Sequence, residues 1–145
     1  MKKSLNRQNL LSIRKNTVNI GGPKIATIFL IDDDLSIMKL FDKFLTIIGH
    51  EIVAKACNGE EAVKLFHEFQ KIPDLILMDH RMPKKDGLTA TKEILRFNHS
   101  SKIIFISADY SIKDRALALG AKYFLKKPFK LDKLSHVIEK IISEN

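Results

Sequence analysis

The sequence is poor in the features that several classes of protein depend on. Its single cysteine, Cys57, excludes an internal disulfide framework and a zinc cluster built from thiolates, and suits a reducing compartment. Its longest apolar runs, such as 26–31 and 103–106, fall far short of the ~20 residues that a membrane-spanning helix needs. The start of the chain lacks the continuous apolar stretch and small-residue cleavage site of a secretory signal, so the expected location is the cytoplasm. Acids are missing from residues 1–24, which carry Lys2, Lys3, Arg7, Arg14, Lys15 and Lys24; from residue 25 onward 19 basic residues face 17 acidic ones. The formal charge of +8 therefore belongs mostly to the front of the chain, and the body is near neutral. A polar, uniformly basic arm cannot offset its own ordering entropy, so residues 1–24 read as a flexible extension and residues 25–145 as one domain. Leu5, Leu10, Leu11 and Ile13 leave a short amphipathic helix as the alternative reading of that arm. Nucleic-acid binding is not expected of the body; if the arm supplied it, binding would depend steeply on salt.

What is present is a core and a rhythm. Apolar residues make up 45% of the chain, enough for a buried interior without staples. After the breaker cluster Gly21-Gly22-Pro23, short apolar runs at 25–31, 51–55, 74–78, 102–106 and 122–125 read as strands. Amphipathic segments alternate with them. The first, about 36–48, stops at Gly49; the second opens with Asn58 three residues before Glu61, as in a capping box. Leu88, Thr91, Ile94 and Leu95 mark a third helix. A fourth, with Ile112, Ala116 and Leu119, is expected to be capped by Ser111 and to end at Gly120, and Leu131, Leu134, Ile138 and Ile141 mark the fifth. Strands joined by single helices run parallel, and right-handed crossovers put helices on both faces, which predicts a doubly wound (βα)5 α/β domain. In such a sheet every strand's carboxyl end reaches the same edge, where ligands bind.

The residues at those ends are Asp32-Asp33-Asp34 after the first strand, Asp79 after the third, Ser107 after the fourth and Lys127-Pro128 after the fifth. Converging carboxylates repel and raise one another's pKa values unless a cation sits among them. Oxygen-only ligands from a few carboxylates favour Mg²⁺ over zinc or a caged Ca²⁺. With the cation, Asp79 stays ionised and nucleophilic, and Ser107 and Lys127 can hold the remaining oxygens of an incoming phosphoryl group. A run that includes Lys122, Lys126, Lys127 and Lys130 would ordinarily be solvated, and only Pro128 singles out Lys127. The five histidines show no metal spacing, and Cys57 reads as a small core residue.

Leu30-Ile31-Asp32-Asp33, Leu77-Met78-Asp79-His80-Arg81-Met82-Pro83 with Asp86-Gly87, Ile106-Ser107-Ala108 and Lys127-Pro128-Phe129, in that order, resemble the response-regulator receiver domain of two-component signalling over about residues 25–143. The resemblance implies a flavodoxin-like three-layer sandwich with parallel sheet order 2-1-3-4-5. It implies Asp79 as the phosphoacceptor, Asp33 as the direct Mg²⁺ ligand, Asp32 on metal-bound water, and the main-chain carbonyl of Arg81 completing the protein's coordination, with Asp34 a bystander. Lys127 would bridge Asp79 and phosphate, and Pro128 would follow a cis peptide bond. Ser107 and Phe124 would form the switch, with Phe124 swinging inward where many relatives carry tyrosine, and the fourth helix, fifth strand and fifth helix would be the output face.

Arg81, Ala108 and Asp109 match the positions at which that family tunes phosphate lifetime. Arg81 and Asp109 are expected to pair across the mouth of the site and hinder water, while Ala108 leaves room for a large donor. Implied partners are a histidine kinase or a histidine phosphotransfer protein, and a downstream target protein. The chain would be a monomer or a weak phosphorylation-dependent dimer. With 24 residues ahead of the domain and none after the fifth helix for an effector, output is expected by protein contact, or by passing the phosphoryl group on as a phosphorelay intermediate. As an enzyme, it would catalyse only its own phosphorylation and dephosphorylation. A Mg²⁺-dependent aspartyl-phosphate phosphohydrolase is the competing class, but it would want a paired-acid motif after the first strand and a cap module. A nucleotide or flavin carrier would want a glycine-rich first turn, where this chain has three acids.

Overall fold

The computed structural model describes residues 24–144. Five strands, β1 (Thr27–Ile31), β2 (Glu51–Ala56), β3 (Leu75–Asp79), β4 (Ile103–Ser107) and β5 (Tyr123–Lys126), form one sheet in the order β2-β1-β3-β4-β5. Every neighbouring pair is parallel. The crossovers are α1 (Leu35–Ile47), α2 (Gly59–Glu68), α3 (Gly87–Phe97) and α4 (Lys113–Leu119), the last entered through a single 3₁₀ turn at Tyr110–Ile112, and α5 (Leu131–Ser143) closes the domain. No helix among the described residues is long and apolar enough to cross a membrane. The basic extension expected at residues 1–24 lies, apart from Lys24, outside the described residues.

Alternation along the strands sorts the core into two layers. Phe29, Ile31, Ile76, Met78, Ile103 and Phe105 face Ala62 and Phe66 of α2, Ala90 and Ile94 of α3 and Ala116 of α4. The intervening positions, Ile28, Leu30, Leu75, Leu77, Ile104 and Ile106, face Met38, Phe41 and Leu45 of α1 and Leu134, Val137, Ile138 and Ile141 of α5. β3 and β4 are buried at every position, as expected of strands covered on both faces. Each fully buried Leu, Ile or Phe contributes about 1.5–3 kcal/mol, so these layers dominate the stability of the fold.

Local polar groups set the helix ends. Asp34 caps α1, accepting from Ser36 N (2.9 Å) and Ile37 N (3.2 Å), so it has a structural role that the sequence reading did not give it. Asn58 accepts from Glu61 N (2.8 Å) at α2, and Asp86 accepts from Thr89 N (2.8 Å) at α3. Ser111, expected to cap the fourth helix, does not: it lies within the 3₁₀ turn, and Asp109 caps that turn instead, accepting from Ser111 N (3.0 Å) and Ser111 Oγ (2.5 Å). An aspartate two residues ahead closes a tight turn that a serine inside it cannot reach back to close. Gly49 (φ 105°) and Gly120 (φ 117°) occupy the left-handed positions after α1 and α4, as the sequence predicts.

The outer strand β2 is irregular. Its register against β1 shifts between Ile28 and Phe29, leaving Val53 as an extra, exposed residue, and Lys55 forms an ion pair with Asp42 of α1.

Candidate functional site

β1, β3, β4 and β5 deliver Asp32, Asp79, Ser107 and Lys127 to one edge, and there they meet. Asp79 and Ser107 are the last residues of their strands, whereas Asp32 and Lys127 directly follow theirs. Parallel register aligns them: Asp79 lies opposite Ile106 and Ser107 opposite Lys126. Lys127 Nζ donates to Asp79 Oδ1 at 3.0 Å and lies 3.6 Å from Asp32 Oδ2. Lys127 N is held by Ser107 O (3.0 Å), and the Lys127–Pro128 peptide is cis. Asp32 is oriented from its own loop, accepting from Asp34 N at 2.8 Å. Asp32, Asp33, Asp34, Asp79, Arg81, Ser107, Ala108, Asp109 and Lys127 line an open cleft of about 470 Å³.

The acceptor strand is backed by a close approach. Gly87 N donates to His80 O (2.8 Å), and a Cβ at Gly87 would lie 2.1 Å from Asp79 O. Only glycine allows the start of α3 to pack on the backbone of Asp79, which gives Asp86-Gly87 its physical meaning.

Electrostatics at this edge are unresolved by the protein alone. Burial pushes the Asp32 carboxyl up to about 6, reinforced by Asp79 and Asp33 and opposed by the Asp34 N–H and Lys127. Burial also raises Asp79, outweighing the hydrogen bond and charge of Lys127 that lower it. Burial works against the Lys127 ammonium, but its hydrogen bond to Asp79 and its attraction to Asp79 and Asp32 prevail and raise its pKa. Carboxylate oxygens of Asp32, Asp33 and Asp79 lie within 4.8 Å of one another. Three hard oxygen donors so close, two of them pushed toward the neutral form, fit a divalent cation of the Mg²⁺ kind, whose charge would remove the repulsion.

The remaining site candidates are distributed around this centre. Ser107 is buried, and its Oγ accepts from Asp109 N at 3.0 Å. Phe124 is 8% exposed, stacked on Phe105 with ring centroids 6.1 Å apart. Arg81 and Asp109 both line the cleft, but the expected ion pair between them is not formed among the described residues. Asp109 spends its carboxylate on Ser111, and Arg81 acts on it only through space, lowering its pKa less than those hydrogen bonds do. Cys57 is half-buried against the α1–α5 layer. Sequence reasoning gave His80 no more than a surface or supporting role: burial pulls its imidazole below the usual range, and its Nδ1 is buried with no hydrogen-bond partner among the described residues.

Known proteins share this arrangement. Chemotaxis protein CheY of Bacillus subtilis is 39% identical over 117 residues, covering 79% of this chain and 96% of that protein. CheY of Thermotoga maritima is 36% identical over 115 residues, covering 77% and 94%. Among solved structures, the CheX–CheY–BeF3–Mg²⁺ complex of Borrelia burgdorferi superposes with a TM-score of 0.78 at 26% identity, covering 90% of this chain and 98% of that one. The response regulator domain of Thermotoga maritima CheB gives 0.72 at 26% identity, covering 84% and 99%. The profile of the response regulator receiver domain matches residues 28–139, and with the sheet order and the acidic edge already described, the chain belongs to the receiver domain family of two-component response regulators.

Proposed function

We propose that the chain relays a signal as a phosphoacceptor: a phosphohistidine on a histidine kinase or phosphotransfer protein donates its phosphoryl group to Asp79, and the α4–β5–α5 face passes the change to a downstream protein by contact. The observation that carries this reading is Asp79 itself, at the end of β3, 3.0 Å from the Lys127 ammonium and clustered with Asp32 and Asp33.

In the transfer, an Asp79 carboxylate oxygen forms the new P–O bond while the P–N bond to the donor imidazole breaks. The electron pair of that bond stays with the ring, which leaves neutral after protonation. Lys127 balances charge on Asp79 before transfer and on the phosphoryl oxygens after it. A Mg²⁺ ion held by Asp33, Asp79, the main-chain carbonyl of Arg81 and water on Asp32 would supply the positive charge that the transferring group requires. Ser107 turns its hydroxyl from the Asp109 N–H toward the acquired phosphoryl group, whereas Phe124, expected to swing inward, already lies buried against Phe105. Ala108 leaves the approach open, and Arg81 and Asp109 at the mouth set how readily water reaches the acyl phosphate.

Incubation with acetyl phosphate and Mg²⁺, read by intact mass, tests this. The expected adduct is acid-stable, base-labile, not formed in the presence of EDTA and absent from Asp79→Ala. Folded, Mg²⁺-supplied wild type that acquires no phosphoryl group would sink the proposal.

A further inference from the structure

Tyr110, in the turn between β4 and α4, is 55% exposed yet held from several sides. Lys113 Nζ donates to its hydroxyl at 3.0 Å and lies 5.0 Å from the ring centroid, and Lys126 Nζ lies 5.5 Å from the same ring. Neither lysine is ion-paired with a carboxylate among the described residues, so the electron-rich ring is the partner to which both ammoniums are committed. The ring meets Phe124 edge to face, centroids 6.0 Å apart and planes at 85°. Phe124 stacks on Phe105, and Phe105 lies 5.8 Å from His80, the residue after the acceptor. Phe124 is thus already covered, between Phe105 below and Tyr110 above.

The same turn holds the switch hydroxyl. Asp109, next to Tyr110, donates its N–H to Ser107 Oγ at 3.0 Å, and its carboxylate ties the turn together through Ser111. Resting on the receiver reading above, we infer that Tyr110 is a positioning residue that acts as a brake on phosphorylation. Pinned by Lys113 and Lys126 against Phe124, it braces the turn that keeps Ser107 on Asp109 and away from Asp79. A hydroxyl that turns toward a phosphoryl group gives up the Asp109 N–H, and the turn that Tyr110 braces is then free to shift. These contacts belong to the resting arrangement, and they lower the apparent affinity for any ligand that prefers the other one by the fraction of molecules they withhold.

The test is a titration with beryllofluoride and Mg²⁺ followed by fluorine NMR, on wild type, Tyr110→Ala, Tyr110→Phe and Lys126→Met, each checked for folding by its melting transition. Cation–π and edge-to-face contacts are each worth a factor of a few, so Tyr110→Ala should bind beryllofluoride about fivefold more tightly than wild type. Tyr110→Phe, which keeps the ring and loses only the bond from Lys113, and Lys126→Met should each tighten binding about twofold. With no tryptophan and two tyrosines in the chain, Tyr123→Phe leaves Tyr110 as the sole emitter, and its fluorescence should change as the adduct forms. Unchanged or weaker beryllofluoride affinity in folded Tyr110→Ala and Tyr110→Phe overturns the brake. A wild type that forms no beryllofluoride adduct overturns the receiver reading and the brake with it.

Discussion

The two ends of the sheet use similar residues for opposite purposes. At the amino end, polar groups are spent on closing the fold. Thr27 N donates to Asp74 Oδ2 and Asp74 N to Thr27 Oγ1, both at 2.9 Å, tying β1 to the entry of β3. His50 Nδ1 accepts from Ala26 N (3.0 Å), and Lys102 Nζ donates to Ile141 O (3.1 Å) and Glu144 O (2.7 Å) at the end of α5. At the carboxyl end, Asp32 and Asp79 are buried beside a third acid with one lysine between them, and burial raises both. The first set is satisfied within the chain. The second keeps carboxylates crowded together and pushed toward the neutral form, the kind of perturbation that clusters at functional sites.

Substitutions should separate the two ends, and the largest effect is expected where charge is frustrated. Asp32 is raised in the folded chain from 3.8 to about 6, so the folded state holds the extra proton between those values. Its contribution to stability is therefore fully present below about pH 4 and lost as pH rises through about 6. In EDTA, Asp32→Asn should be more stable than wild type by on the order of 2 kcal/mol at pH 7.5 and by almost nothing at pH 4. Mg²⁺ should erase the gain at pH 7.5. Thermal unfolding of both proteins at the two pH values checks this, and a pH-independent difference would count against it. At the other end the sign reverses: Asp74→Ala leaves Thr27 N without its acceptor and should cost between about 1 and 2 kcal/mol in urea unfolding at pH 7.5, unaffected by Mg²⁺. The smallest effect sharpens the boundary. Asp34 sits beside the acidic cluster but caps α1, so Asp34→Ala should cost about 1 kcal/mol of stability while leaving formation of the Asp79 adduct intact. A large loss of adduct with unchanged stability would place Asp34 in the site instead.

Much of this was legible in the sequence. Strand runs separated by single amphipathic helices pointed to parallel strands with one common carboxyl edge, while the order of neighbours in the sheet came only with the family resemblance. That placed Asp32, Asp79, Ser107 and Lys127 at one edge before any distance was known. Individual hydrogen bonds were less accessible. Asp34 and Asp109 turned out to cap local turns, and Arg81 did not pair with Asp109, because a side chain bonds to the backbone amide nearest its rotamer rather than to the opposite charge nearest in a motif. The column from His80 through Phe105 and Phe124 to Tyr110 was also hidden. Its members come from the segment after β3, β4, the 3₁₀ turn and β5, and helical or strand periodicity in one segment says nothing about which rings stack between segments.

The irregular strand at the flank of the sheet matters for how the molecule lives in company. A foreign strand approaching β2 meets a ladder whose spacing breaks at Val53 and a lysine already engaged with Asp42. Templating a regular extension would mean straightening the first and desolvating the second, so this margin of the sheet resists recruiting further chains through its backbone.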